Sequence, residues 1–255
     1  MLKTERREAI CKLVDKRNTI TTVELAGALA VSEMTVRRDL ADLAHMGRIV
    51  RVHGGARSIL GARGTAIPRE LTHHEKVNAH EREKAQVAST ALAYIDEGST
   101  IFLGTGTTVE LLARLLPLIR LRVITNSLPV VGALCNRAGI DLCCIGGTYR
   151  PSTGAFVGAI AEDVLSHLGI DAAFIGLNGI FDHTASTSNT QEGRLQRIAL
   201  DRANLRYLLA DSSKLDRRDF YGFYDLVNVD ALMTDRLITP EQEADLSQYT
   251  KVVTG

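Results

Sequence analysis

Two groups of residues in this chain have the types and spacing to do chemistry, and each implies a different partner. The first is the run Gly104, Thr105, Gly106, Thr107 and Thr108, which follows a short apolar stretch and leads into a helical pattern. Glycines let the backbone approach an anion, threonines donate hydroxyls, and a helix start offers N–H groups at the positive end of its dipole. No lysine follows at the spacing of a nucleoside-triphosphate loop, so a monophosphate fits better. Further apolar runs end in similar polar clusters: Asn126 with Ser127, Gly146 and Gly147 leading to Arg150, Asn178 with Gly179, and Asp211 through Lys214. Any one of these is a turn. Together, on one predicted sheet edge, they point to a polar, phosphorylated, polyhydroxy ligand, with Arg150 and Lys214 supplying charge. Glu192 is the candidate acceptor for sugar hydroxyls, and a carboxylate at a helix start explains it equally well.

The second group lies between residues 20 and 55 and has the pattern of a DNA reader. Thr21 and Glu24 form a T-x-x-E capping box with Ile20 and Leu25 as its hydrophobic staple, and Ser32 repeats the device with Val31 and Val36. Helix starts eleven positions apart leave room for about two turns and a sharp corner, which is helix-turn-helix spacing. On the second helix Val36, Leu40 and Leu43 face inward, leaving Thr35, Arg37, Arg38 and Asp42 largely outward. Gly47 ends that helix, and residues 48–55 read as a β wing. Ser32, Thr35, Arg37 and Arg38 are the candidates for groove and phosphate contacts, and Arg48, Arg51 and His53 for wing contacts.

The elements that must position these groups follow from periodicity. Helix one is expected from about Thr4 to Asp15, with Ala9, Ile10, Leu13 and Val14 facing inward. Residues 58–74 lose all periodicity and read as a linker, so the winged helix-turn-helix domain is 1–57 and the effector domain 75–255. The second domain opens on one long helix from about Glu75 to Ile95. Strands are expected at Thr100–Leu103, Leu121–Thr125, Asp141–Ile145, Ala172–Leu177, Tyr207–Ala210 and Ala231–Thr234, with helices near Val109–Leu116, Pro129–Ala138, Ala161–His167 and Gln191–Ala203. This alternation predicts an α/β fold with a mostly parallel sheet covered on both faces, whose ligands bind beyond the carboxyl ends of its strands.

The bulk properties agree. The 255 residues carry no net charge, yet residues 1–57 hold eleven Lys/Arg against seven Asp/Glu, leaving the first domain at +4 and the remainder at −4. A small basic domain joined to a larger acidic one suits a DNA reader attached to something else. Cys11, Cys135, Cys143 and Cys144 have no C-x-x-C or metal spacing and read as buried thiols of a reducing cytosol. His73, His74 and His80 lack partners at ligand spacing, so no metal and no cofactor are expected. No run approaches eighteen apolar residues and residues 1–7 are not a signal peptide, so a cytoplasmic protein without membrane contact is expected.

With both halves assembled, the chain resembles the DeoR family of bacterial sugar-metabolism repressors. VSEMTVRRDLADL and RVHGGA carry the resemblance in the first domain; HEREKAQVA, IFLGTGTT, VITNSLP, CCIGGTYRPSTGAFVG, LNGI and LLADSSK carry it in the second. Within the family, STSNTQEG and DRRDFYGFYDL look most like the lactose phosphotransferase-system repressors, which implies tagatose 6-phosphate as effector. The second domain also resembles ribose-5-phosphate isomerase, with departures. Where that enzyme carries a DGADE carboxylate motif this chain reads Gly176-Leu177-Asn178-Gly179-Ile180, and its Lys-Gly-Gly-Gly loop is here Thr187-Ser188-Asn189-Thr190. Sugar isomerisation needs a carboxylate base and a cation on the enediolate, so a sensor rather than an enzyme is expected. The implied protein is a repressor whose operator affinity is set by a sugar phosphate, acting as a homo-oligomer on repeated or palindromic half-sites. An isomerase with an appended DNA-binding module and a phosphate-binding structural subunit are the alternatives.

Overall fold

The computed structural model describes residues 3–17, 19–45, 48–52, 54–58 and 70–255. The chain divides into two compact units between residues 68 and 69. Gly47, His53 and residues 59–69 of the expected linker lie outside the described residues.

In the first unit, α1 (Lys3–Arg17), α2 (Thr22–Leu29) and α3 (Glu33–His45) accompany β1 (Thr19–Thr21), β2 (Ile49–Val52) and β3 (Gly55–Ser58). The strands form an antiparallel sheet in the order β1-β3-β2. Both capping devices form: the Thr21–Glu24 box is complete, and the Ser32 hydroxyl accepts from the Thr35 amide at 3.3 Å. The corner between α2 and α3 is made by Ala30 at φ 52°, whose N–H returns to the carbonyls of Ala26 and Gly27. Val36, Leu40 and Leu43 pack into one core with Ile10, Val14, Ile20 and Leu25, as the periodicity requires. The wing is a hairpin whose second strand runs through Ser58; that residue is buried and bonded to Asp15, so the linker does not begin there. Gly55 has no room for a side chain, since a Cβ would lie 2.9 Å from the Thr21 Cα.

The second unit is built on seven parallel strands in the order β15-β14-β12-β9-β4-β5-β6. These are β4 (Thr100–Leu103), β5 (Leu121–Thr125), β6 (Ile140–Cys144), β9 (Ile170–Gly176), β12 (Ala203–Leu209), β14 (Ala231–Thr234) and β15 (Lys251–Thr254). Neighbouring strand residues point to opposite faces: Ala172 and Phe174 enter one core with Val87, Leu112 and Val130, while Ala173 and Ile175 enter the other with Leu165, Leu195 and Leu200. Burial on both faces explains the near-continuous apolar runs. Helices α5 (Glu81–Leu92), α6 (Thr107–Leu115) and α7 (Leu128–Leu134) cover the first face; α8 (Ala159–Ser166) and α9 (Thr190–Arg202) cover the second. A hairpin of β7 (Thr148–Arg150) and β8 (Ala155–Val157), and a small antiparallel sheet of β10 (Gly179–Phe181), β11 (Thr184–Thr187) and β13 (Tyr221–Asp225), stand beside the main sheet.

Three expectations need correction. The single helix from Glu75 to Ile95 is two, α4 (His73–Val77) and α5, separated by a turn in which His80 adopts φ 54°. A Thr72–Glu75 capping box starts α4, which buries no residue, whereas Val87, Ala88 and Ala91 of α5 are fully covered; no apolar face continues through the turn to hold one helix. Residues 70–74 therefore belong to the second unit rather than to a linker. The cysteines are also not uniformly buried: Cys11 is, but Cys135 and Cys144 are exposed. Cys144 ends β6, an edge strand of the sheet, so the apolar run around it is covered less completely than a central strand would be.

Candidate functional site

Because the seven strands are parallel, their carboxyl ends open on one edge, and the chain reverses its direction of progress between β4 and β9. Ligands of open α/β sheets bind at such a switch point. Gly104–Thr108 follows β4 and Leu177 with Asn178 follows β9. The Gly104 amide donates to the Phe174 carbonyl at 3.0 Å, and a Cβ on Gly176 would sit 2.9 Å from the Thr105 carbonyl oxygen, so loop and strand meet backbone to backbone. Gly106 starts α6 at φ 117° with no side chain capping it. Its leading N–H groups are thus available to an anion, beside the buried Thr105, Thr107 and Thr108.

Three lysines converge near this edge, and only Lys214 is evident from its loop. Lys76 of α4 donates to the Asn178 side-chain Oδ1 at 2.8 Å, and Lys84 of α5, only 2% exposed, donates to the Lys76 main-chain carbonyl. Lys214 lies 3.6 Å from Asp211, whose Oδ2 is buried and has no hydrogen-bond partner among the described residues. Burial pushes all three lysines below the ordinary range; Glu192 opposes this for Lys76, and Asp211 for Lys84 and Lys214. Lys214 also lowers both Lys76 and Lys84, so the three ammonium groups feel one another. Partly dehydrated, mutually repelling cations gain most from an anion placed among them.

Arg150 is used differently from expectation. Its guanidinium is held by two carboxylates, Glu70 at 2.8 Å and Glu192 at 2.9 Å. Burial alone would lower its pKa, but the hydrogen bonds to Glu70 and Glu192 raise it. Glu192 also accepts from Thr153 and is 4% exposed. Asn126 donates to the Phe156 carbonyl at 2.9 Å, tying the end of β5 to β8. A Cβ on Gly147 would lie 2.6 Å from the Val157 carbonyl oxygen, so that glycine serves packing; Gly146 stands in the open. Asn178 links Lys76 to Ser188, to which it donates at 3.3 Å.

In the first unit the candidate DNA-contacting helix α3 is braced by α1. Arg6 and Arg7 of α1 donate to the two oxygens of Asp39 on α3 at 2.6 and 3.2 Å. Burial alone would raise the Asp39 pKa, but these bonds hold it below the ordinary range. Asp42, expected to face outward, is half-buried and paired with Arg7 and Lys3. Ser32, Arg37 and Arg38 are exposed and Thr35 half-exposed; Arg37 has a loose pair with Glu33 at 3.5 Å. Lys3 and Arg6 join Ser32, Thr35 and Arg38 around a cavity of about 210 Å³. Arg48 and Arg51 are exposed on the wing, whose turn is pinned by two bonds from Thr22 to the Gly54 carbonyl, at 2.8 and 3.0 Å.

Residues 6–60 match the DeoR-like helix-turn-helix domain, and residues 79–236 match the DeoR C terminal sensor domain. The chain belongs to the DeoR family. A lactose phosphotransferase system repressor of Streptococcus mutans is 41% identical over 255 residues, covering 99% of this chain and 100% of the relative. One from Lactococcus lactis subsp. lactis is 40% identical over 256 residues, covering 99% of each chain. Among solved structures, ribose 5-phosphate isomerase A of Methanocaldococcus jannaschii aligns with 54% of this chain and 55% of its own, at 23% identity and a TM-score of 0.41.

In this DeoR-family chain, sequence reasoning missed Lys76 and Lys84. Both lie in helices whose charged residues look like a solvated face, and the only signal was Lys84 sharing the buried stripe of Val87, Ala88 and Ala91 at helical spacing. Glu70 was missed because it sits in aperiodic sequence. Among the described residues no group of three or more His, Cys, Asp or Glu could hold a metal ion, and no helix is long and apolar enough to cross a membrane.

Proposed function

We propose that this protein is a cytoplasmic transcriptional repressor of a sugar catabolic operon, released from its operator by a phosphorylated sugar. Tagatose 6-phosphate or a related hexose phosphate is the effector we infer. The observation that carries the effector site is the uncapped start of α6 at the switch point, on the same sheet edge as Asn178, which holds Lys76, and Lys214. Two close relatives named lactose phosphotransferase system repressors support the choice of sugar. Thr35, Arg37 and Arg38 of α3, with Ser32 just before it, read the operator together with Arg48 and Arg51 of the wing, and His53 is a further candidate from the sequence. The effector is gripped by Gly104, Thr105, Gly106, Thr107 and Thr108 through its phosphate, and by Asn178, Lys214 and the missed Lys76 and Lys84. One winged helix contacts too few base pairs for useful specificity, so a homo-oligomer on paired half-sites is expected. The switch requires that effector bind the two states with different affinity.

A thermal-shift screen of pentose and hexose phosphates, followed by operator-binding anisotropy with each hit, tests this reading. A sugar phosphate that stabilises the chain and lowers operator affinity is the expected result; operator binding indifferent to every hit would refute it. The isomerase alternative predicts turnover. We expect none, because the positions of the isomerase's carboxylate motif and of its Lys-Gly-Gly-Gly loop hold Gly176-Leu177-Asn178-Gly179-Ile180 and Thr187-Ser188-Asn189-Thr190, which supply neither the base nor the cation that proton abstraction from carbon needs. Turnover abolished by Lys214→Ala would favour the enzyme.

A further inference from the structure

Arg150 donates from one terminal nitrogen to both oxygens of Glu70, at 2.8 and 2.9 Å. The same carboxylate accepts from the Ser188 hydroxyl at 3.0 Å. A guanidinium nitrogen and a serine hydroxyl at the carboxyl edge of a parallel sheet are what an anionic ligand would receive. Here they hold a residue of the chain itself.

Glu70 differs from the other acids of the site. Glu192, Asp211 and Asp219, the last close enough for its charge to act on Lys76, are each less than a tenth exposed, and Glu192 is built into α9. The Glu70 side chain is 28% exposed and belongs to no helix or strand. The residues after it are stitched to the same edge: the His73 amide donates to the Ser152 carbonyl at 2.7 Å, the His73 ring lies 2.8 Å from Glu110 of α6, and Lys76 reaches Asn178. Through this segment the second unit receives the chain from the DNA-binding unit.

An anion entering the lysine set meets four carboxylates already there. Like charges crowded at low dielectric cannot all remain ionised and in place, so one must leave or take up a proton. Glu70 alone among them can leave without opening the core. We propose that Glu70 is an internal competitor: its carboxylate occupies Arg150 and Ser188 in the free protein, an incoming sugar phosphate displaces it, and the released segment 70–73, ahead of Lys76 that stays on the ligand, relays occupancy toward the DNA-binding unit. This rests on the sugar-phosphate reading of the site. A ligand that must first displace Glu70 binds with an apparent affinity reduced by the fraction of molecules already open.

The test uses the full chain and its Glu70→Gln variant, titrated calorimetrically with tagatose 6-phosphate and with inorganic phosphate. Glutamine keeps the shape and removes the charge, so the variant is expected to bind both probes tighter by on the order of tenfold. Backbone hydrogen exchange at residues 71–73, where the His73 amide is bonded to Ser152, is expected to be fast in ligand-free Glu70→Gln, and in the wild type to become fast only once ligand is bound. Ser188→Ala, which removes one bond to Glu70 without changing charge, should tighten binding in the same direction by less. Unchanged or weaker binding in Glu70→Gln, or slower exchange of the segment on binding in the wild type, overturns the competitor while leaving the effector site standing. A wild-type chain that binds neither probe removes the effector reading and this inference with it.

Discussion

Gly106→Asp probes the effector cradle where steric and electrostatic effects can be separated. The Gly106 backbone lies at φ 117° and ψ 155°, a region essentially restricted to glycine, so any side chain there costs about 1–3 kcal/mol of strain. Space is not the obstacle: the nearest atom to a Cβ would be the Gly176 Cα, at 4.0 Å. An aspartate adds a charge at the mouth of the anion site. A carboxylate about 5 Å from a phosphate, at an effective dielectric of about 20, is repelled by about 3 kcal/mol per unit charge. That corresponds to at least a hundredfold loss of affinity, roughly, beyond the strain. Gly106→Asn has nearly the same size and the same strain without the charge, so the ratio of the two dissociation constants isolates the electrostatic part. Calorimetry with tagatose 6-phosphate measures that ratio, and anisotropy with operator DNA checks the DNA-binding unit, which should be unaffected without effector. In cells the Asp variant should repress and ignore the inducer. Equal effector affinity in the Asp and Asn variants would place the anion elsewhere and refute the reasoning.

Arg37→Ala or Arg38→Ala should cost about 1–3 kcal/mol of operator affinity if a base edge is read; a loss equal on all sequences with a shallower salt dependence would mean a phosphate contact. Unchanged affinity in both variants would remove the recognition-helix assignment. Asp39→Asn leaves Arg6 and Arg7 without their buried partner, at an expected cost of about 2–3 kcal/mol, the usual figure for a broken buried pair reduced because both arginines retain some solvent contact. Because the folded pKa of Asp39 is depressed, its stabilisation is present above the unfolded value near about 3.9 and is lost as pH falls through the folded value. Denaturant melts of wild type and variant should therefore differ at neutral pH and converge in acid; parallel curves would contradict this. Effector affinity should fall on the alkaline side, because Lys76, Lys84 and Lys214 are depressed and the anion prefers them protonated. The decline should begin below the ordinary lysine value of about 10.4, and a dissociation constant that is flat up to there would exclude the lysines from the site.

Local rules carried much of this protein into view from its sequence. The Thr21–Glu24 box, the Ser32 cap and the stripe Val36, Leu40 and Leu43 each depend on residues within a turn or two of one another, so their spacing alone specifies the helix-turn-helix. The strands Thr100–Leu103, Leu121–Thr125 and Ala231–Thr234 appear at their expected bounds because a strand buried on both faces is an unbroken apolar run between polar ends. Parallel pairing then brings the polar strand ends to one edge.

What tertiary structure alone decided concerns which polar groups face each other. Arg150 has the sequence signature of a ligand's cation, and the fold spends it on Glu70 and Glu192, residues 80 and 42 positions away. Lys84 looks like one charge in an alternating run, and the packing of α5 buries it with its ammonium against the Lys76 carbonyl. The break at His80 has no strong breaker residue, and it follows from α4 having no apolar face to bury. Periodicity records whether a side chain faces core or water, because that choice repeats along the chain. It does not record which distant charge a buried or half-buried ion will meet, since that pairing depends on two segments whose separation in sequence is unrelated to their distance in the fold.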